Sequence, residues 1–180
     1  AAPLDLTASL VVSIKPHLAQ LASTLGEAAG FSVPEGYAMH YLDQVDSPRP
    51  IQVRDYSGSL APLHLASAGL CVMAMWPEAE LSRYLSRPLE RNTPQSVVDP
   101  EAIRSRLMGI REAGYAWVHG EFAEGLSSVA APVHGSDRVV VGAITVHGPT
   151  YRFPGDADPA WIGERVRSAA ERFTASRRAA

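Results

Sequence analysis

GYAWVHGEFAEGLSSVAAPVHGSDRVVVGAITVHGP, Gly114 to Pro149, is the stretch whose reading decides the fold. It reads as a strand from Gly114, a glycine-broken loop, and a hairpin. Val129, Ala131 and Val133 alternate along one arm of the hairpin. Val139, Val141, Ala143, Thr145 and His147 alternate along the other, and Gly135-Ser136-Asp137 supplies the turn. Strand residues two apart share a face. The second arm therefore offers an apolar face that ends in a hydroxyl and an imidazole, the make-up of a small-molecule pocket wall. Ser127 and Ser128 are neighbours in the first arm, so only one of them can look into such a pocket.

Outward from this hairpin, helical and extended segments alternate. Leu10, Ile14, Leu18, Leu21 and Leu25 recur at helical spacing, which predicts an amphipathic first helix ending near Gly26. Pro16 lies inside that pattern and is expected to kink the helix or start a second one. AGFSV, YAMHYLDQV and PIQVRDY read as three strands, separated by Pro34-Glu35-Gly36 and by Ser47-Pro48-Arg49-Pro50. LASAGLCVMAMW reads as a helix, and a short helix from Glu78 to Ser86 follows Pro77. Asp99 and Pro100 mark a helix start, with Ile103, Leu107 and Ile110 inward and a stop at Gly114. A last helix from Asp158 carries Trp161, Ile162, Val166, Ala169 and Phe173 on one side. This order predicts one α+β domain with a mainly antiparallel sheet covered by helices.

Composition narrows the function. The 180 residues carry a formal net charge of -3, without the basic stripe that a free-standing nucleic-acid binder needs to neutralise phosphates. The one basic cluster is Arg165, Arg167, Arg172, Arg177 and Arg178, and Glu164 and Glu171 interrupt it as on a solvated helix face. Cys71 is the single cysteine, which excludes an internal disulfide and suits a reducing cytoplasm. No apolar run is long enough to span a membrane, and AAPLDL lacks the pattern of a signal peptide. The chain opens without methionine, as expected of a fragment or a processed chain.

Several chemistries lack their motifs. There is no P-loop, no glycine-rich dinucleotide fingerprint and no G-x-S-x-G nucleophile elbow. His119-Gly120-Glu121 matches half of a zinc deaminase signature, but the P-C-x-x-C half is missing. His64, Cys71, His119, His134 and His147 have no paired ligand spacing, so no metal site is expected. What remains is a helix start made of Ala66, Ser67, Ala68 and Gly69. Its free N–H groups and small side chains suit the close approach of an anion, and equally suit tight helix–sheet packing.

The ordered motifs resemble a known family. Leu63-His64 followed by ASAG, then RPLERNTPQSVVDPEAIRSRLMGIREAGYA, EFAEGLSSVAAPV and VVVGAITVHGP, are similar to the effector-binding domain of IclR-type transcriptional regulators. The resemblance runs from about Pro16 to the last helix. It implies a GAF-like or profilin-like fold, with an antiparallel sheet flanked by helices and a small effector on its concave side. It also implies an N-terminal winged helix-turn-helix domain, absent from this chain, that binds operator DNA as a dimer or tetramer. On that reading residues 1–180 are a single effector-binding domain, and residues 1–27 are the connector helix region. The protein is then a repressor or activator rather than an enzyme, with no cofactor.

Carried over by position, the resemblance places Val53, Ala61, Ser67, Ala68, Gly69, Val118, Leu126, Ser128, Thr145 and His147 in the effector pocket. The chain departs from the family where many members have an acidic residue (Val118), a cysteine (Ser128), a serine (His147) and a lysine (Leu70). His119-Gly120 also stands where the family has an acidic pair. Valine for aspartate and histidine for serine remove a negative charge and add a titratable cation. The expected effector is a carboxylate, aromatic or short acyl in body rather than glyoxylate or pyruvate. Two other readings stay open: a small hydrolase or isomerase using His147 or His119 as base, and a module that only dimerises.

Overall fold

Leu10, Ile14, Leu18 and Leu21 are all buried, and they place one face of a long helix, α1 (Leu4–Leu25), against the sheet. The computed structural model describes residues 4–180, so the first three residues of the expected connector lie outside the described residues. Pro16 neither ends α1 nor starts a second helix. It stands on the exposed side, and Val12, whose carbonyl it leaves without an amide partner, is exposed as well. Water can take the bond that proline cannot give.

Six strands form one antiparallel sheet: β1 (Ala28–Glu35), β2 (Ala38–Val45), β3 (Leu60–Pro62), β4 (Ala116–His119), β5 (Leu126–His134) and β6 (Val140–Pro149). Their order is β3-β2-β1-β6-β5-β4. A 3-10 turn (Leu63–Leu65) leads into α2 (Ser67–Met73), followed by α3 (Glu78–Leu85), α4 (Pro100–Ala113) and α5 (Pro159–Arg178). The fold is the α+β arrangement expected, a curled antiparallel sheet with helices on both faces.

Two apolar cores lie on the two faces. Ile14 and Leu18 of α1 and Val166 and Phe173 of α5 pack with Phe31, Val129, Ile144 and Val146 on one face. Leu70 and Met73 of α2, Leu81 of α3 and Leu107 of α4 pack with Met39, Ala116, Ala130 and Ala143 on the other. The cap residues act as read. Asp99 accepts a hydrogen bond from the Ala102 amide at 2.8 Å, and α4 ends at Gly114 with a left-handed φ of 80°. Asp158 caps α5 in the same way, accepting from the Ala160 amide at 3.0 Å.

Four expectations are corrected. PIQVRDY is not a strand: residues 46–59 form an irregular connection, and the third strand is Leu60–Pro62. Ile51 is exposed, so its β-branched side chain has no sheet face to pack on, and Pro48 and Pro50 remove ladder donors. The LASAGLCVMAMW helix is shortened to Ser67–Met73 behind the 3-10 turn. Val139 and Val141 do not share the face of Ala143, because the β5–β6 register shifts between Val133 and His134 and leaves Val141 without a partner. Val141 packs with Ile144 on the opposite face, while Val139 is exposed. Trp161 is also exposed, beneath the Arg165 guanidinium at 4.1 Å, instead of joining Ile162 in the core.

Candidate effector site

The β-ladder puts Thr145 and His147 of β6 opposite Gly30 and Ala28 of β1, and opposite Ala130 and Ser128 of β5. Partners across a ladder share a face, and this is the face covered by α2. Ser128 is in turn opposite Val118 of β4. Val118, Ser128, Thr145 and His147 thus line the floor of one cavity, with Leu126 at its edge. Leu65 and Ala66 form the wall at the start of α2. Tyr41 and Ser59 close a second side, and Tyr56 and Phe122 stand at the mouth with ring centroids 6.4 Å apart. The free volume is about 20 Å³, room for about one water molecule.

Five of the ten expected pocket residues therefore line the cavity: Val118, Leu126, Ser128, Thr145 and His147. Ser67 stands just behind, sharing a 2.9 Å hydrogen bond with Ser128. The structure does not bring the other four into the lining. Val53 lies in the irregular connection, Ala61 pairs with Met39 at the sheet edge, and Ala68 is enclosed in the core. Gly69 answers the packing question: a Cβ there would stand 2.2 Å from the Leu63 carbonyl oxygen. Its small size serves the contact with the 3-10 turn. Sequence reasoning missed Tyr41, Tyr56, Ser59, Leu65 and Phe122. Tyr56, Ser59 and Phe122 sit in connections without periodicity, where no pattern marks a wall residue.

The polar groups of the cavity are few. His147 is buried, and its ring meets Tyr56 edge-on at 5.6 Å. Burial pushes its imidazole down to about 4, against the pull of Asp55 and Asp46, so in this closed state the ring is neutral at pH 7 rather than a cation. Its Nε2 donates to Gln44 Oε1 at 2.9 Å. Thr145 Oγ1 is buried and has no hydrogen-bond partner, a state that native structures rarely leave unanswered. Burial raises the Tyr41 phenol above its ordinary range.

Two connections position the mouth. Residues 46–59 are held at one end by Ser47 Oγ and Arg49 Nε, which both donate to the Gly26 carbonyl at the foot of α1, at 2.9 and 3.1 Å. At the other end the Tyr56 amide donates to Gln44 Oε1 at 3.1 Å, and the Gly58 amide donates to the Tyr41 carbonyl at 2.8 Å. The Phe122 connection is pinned by the RNTPQS stretch. Thr93 Oγ1 donates to the Gly120 carbonyl and Ser96 Oγ to the Glu121 carbonyl, each at 2.6 Å, while Arg106 pairs with the buried Glu121 carboxylate at 2.6 Å.

The other candidate groups are dispersed. His64 is buried, with Nδ1 2.7 Å from the Tyr84 hydroxyl and Nε2 2.7 Å from the Glu90 carbonyl, and it ties the 3-10 turn to α3 and the connection that follows it. The Cys71 thiol is enclosed near the Ala130 carbonyl, and burial pushes it up to about 12. Ser127 turns away from the cavity, as only one of the two serines can face it. Its hydroxyl lies 3.2 Å from His119 Nδ1 and 2.9 Å from Thr150 Oγ1. Ser127 is fully buried and, among the described residues, no carboxylate completes that pair with a hydrogen bond to the ring, which is not the arrangement of an activated nucleophile. Among the described residues no three His, Cys, Asp or Glu side chains cluster to hold a metal, and no helix is long and apolar enough to cross a membrane.

A mixed sheet-and-helix domain with a blind, aromatic-mouthed cavity on one sheet face has the build of a small-molecule sensor. The chain belongs to the IclR family of bacterial transcriptional regulators, matching the family's C-terminal domain over residues 6–175. It is 30% identical over 166 residues to the HTH-type transcriptional regulator BhcR of Paracoccus denitrificans, covering 92% of this chain and 59% of that protein. Among solved structures it resembles an IclR-type regulator from Silicibacter sp. TM1040, with a TM-score of 0.85 and 28% identity over 92% of this chain and 66% of the other. An IclR homolog from Microbacterium hydrocarbonoxydans, complexed with 4-hydroxybenzoate, shares the fold with a TM-score of 0.85 and 24% identity, covering 96% and 70%. The chain spans about three-fifths of the length of BhcR.

Proposed function

We propose that this domain senses a small organic acid in the cavity between β6, β5 and the start of α2. By doing so it controls DNA binding by an N-terminal winged helix-turn-helix domain outside this chain. The observation that carries the reading is Thr145 Oγ1, a buried hydroxyl without a partner, set beside His147 in an otherwise largely apolar cavity. An acid seated there stabilises one arrangement of the domain, and it shifts the population only by its differential affinity for the two arrangements. α1 is the connector through which the change leaves the domain, and the assembly is a homodimer or homotetramer in the cytoplasm. The protein is a regulator rather than an enzyme: BhcR is named a transcriptional regulator, and the Ser127 hydroxyl beside His119 is fully buried.

Ligand pockets usually enclose several hundred Å³, so an acid is admitted only when Tyr56 and Phe122 part. The small free volume favours a second reading, a module that dimerises and binds nothing. Calorimetry against aliphatic and aromatic carboxylates, 4-hydroxybenzoate among them, separates the two. Saturable binding supports the sensor, and no binding of any acid at millimolar concentration overturns it.

A further inference from the structure

The side-chain amide of Gln44 is held in one orientation. Its Nε2 donates to the Arg54 carbonyl at 3.2 Å and to Asp46 Oδ1 at 3.1 Å, while its Oε1 accepts the Tyr56 amide at 3.1 Å. Turning the amide over would set donor against donor and acceptor against acceptor at all three contacts. The atom that faces His147 Nε2 at 2.9 Å is therefore a carbonyl oxygen, which can only accept. Nε2 must carry the ring hydrogen. A neutral imidazole has one N–H, so Nδ1 is a bare lone pair.

That lone pair has no hydrogen-bond partner among the described residues, on a ring that lines the cavity. Thr145, next along the same face of β6, adds a buried hydroxyl without a partner. No lysine or arginine lines the cavity. A carboxylate offers only acceptors, and would set its oxygen against the Nδ1 lone pair.

We propose that the effector of this site is a hydroxylated acid, whose O–H donates to His147 Nδ1 and whose hydroxyl oxygen accepts from Thr145 Oγ1. The proposal rests on the acid-sensing reading and narrows it. In it His147 selects for a hydroxyl. No proton is transferred on binding.

The test uses matched sets of acids: 4-hydroxybenzoate, 4-methoxybenzoate and benzoate, and 3-hydroxybutyrate, 3-methoxybutyrate and butyrate. Calorimetry is run in two buffers of different ionisation enthalpy. In at least one set the hydroxy acid is expected to bind roughly tenfold or more tightly than both analogues, because a methoxy group has no hydrogen to offer Nδ1 and the parent acid leaves both Nδ1 and Thr145 Oγ1 without a partner. His147→Phe is expected to abolish that preference. Nitrogen NMR of histidine-labelled wild-type protein reads the tautomer directly, so the proposal stays testable if the variant does not fold. The free protein should show Nε2 protonated and Nδ1 bare, with Nδ1 shifting on addition of the hydroxy acid. Equal affinity within every binding set, a protonated Nδ1 in the free protein, or uptake of about one proton on binding overturns the hydroxyl proposal and leaves acid sensing intact. Failure of every acid to bind overturns acid sensing, and this proposal with it.

Discussion

Ser67 Oγ lies 2.9 Å from Ser128 Oγ, joining the first residue of α2 to the middle of the sheet across 61 residues of chain. It ties the wall of the cavity to its floor. Ser67→Ala strands the Ser128 hydroxyl and is expected to lower stability by about 1–2 kcal/mol. Ser67→Ala with Ser128→Ala should cost less than the sum of the two single changes. Urea denaturation of the four proteins measures the coupling.

The buried His147 makes stability depend on pH with a definite sign. Folded, the ring protonates near 4; unfolded, it protonates near its ordinary 6.5. The unfolded state therefore binds more protons between those values, and stability falls as pH drops through 6.5, levelling below about 4. The gap is worth roughly 3 kcal/mol in full, of which about 2 kcal/mol is lost by pH 5. His147→Gln keeps a donor for Gln44 without titrating. Between pH 7.5 and 5 its stability, measured by denaturation at each pH, should fall by about 2 kcal/mol less than that of the wild type.

Glu27 is buried at the foot of α1 and meets Arg152 Nε at 2.5 Å and Nη2 at 3.0 Å, with Arg49 at 4.0 Å. Removing one partner of such a pair leaves the other charge uncompensated. Arg152 keeps 16% of its side chain in solvent, which softens the loss. Glu27→Gln is expected to cost about 2–4 kcal/mol, read as a lower midpoint in thermal or urea unfolding.

Two glycines should respond to alanine in opposite directions. At Gly69 the new Cβ would stand 2.2 Å from the Leu63 carbonyl oxygen, so the 3-10 turn or α2 must shift, at a cost of about 3 kcal/mol. At Gly109, on the exposed side of α4, the Cβ meets nothing within 4 Å. Gly109→Ala should stabilise by about 0.5–1 kcal/mol. Differential scanning calorimetry of both variants checks the pair.

Where local chemistry decides structure, the sequence was readable. Asp99-Pro100 and Gly114 bound α4 because capping and left-handed φ are properties of single residues. The β5–β6 hairpin declared itself by alternation over its length, and Thr145 and His147 reached the cavity by that logic, whereas alternation left Ser127 and Ser128 open and the family resemblance singled out Ser128. The failures share one cause. Val141 changes face because a single extra residue enters β6 opposite Val133 and His134, and alternation does not reveal a bulge. Ile51 and Val53 have strand propensity, but no neighbouring strand is left to pair with them. Tyr56 and Phe122 reach the mouth through hydrogen bonds made by distant segments, and such contacts leave no periodic trace.

The connection from residue 46 to 59 is fastened to Gly26 near its start and to Gln44 and Tyr41 near its end. Such a tether has little slack. Tyr56 can swing from the mouth only by tearing free of Gln44, or by drawing on its far anchorage through Arg49. The second route works on a 22-residue helix, about 33 Å of rigid rod, as on the short arm of a lever. On the sensor function proposed above, a small displacement at the mouth is then magnified at the rod's opposite tip, and the stiffness of the six residues between Arg49 and Tyr56 sets how faithfully it is passed on.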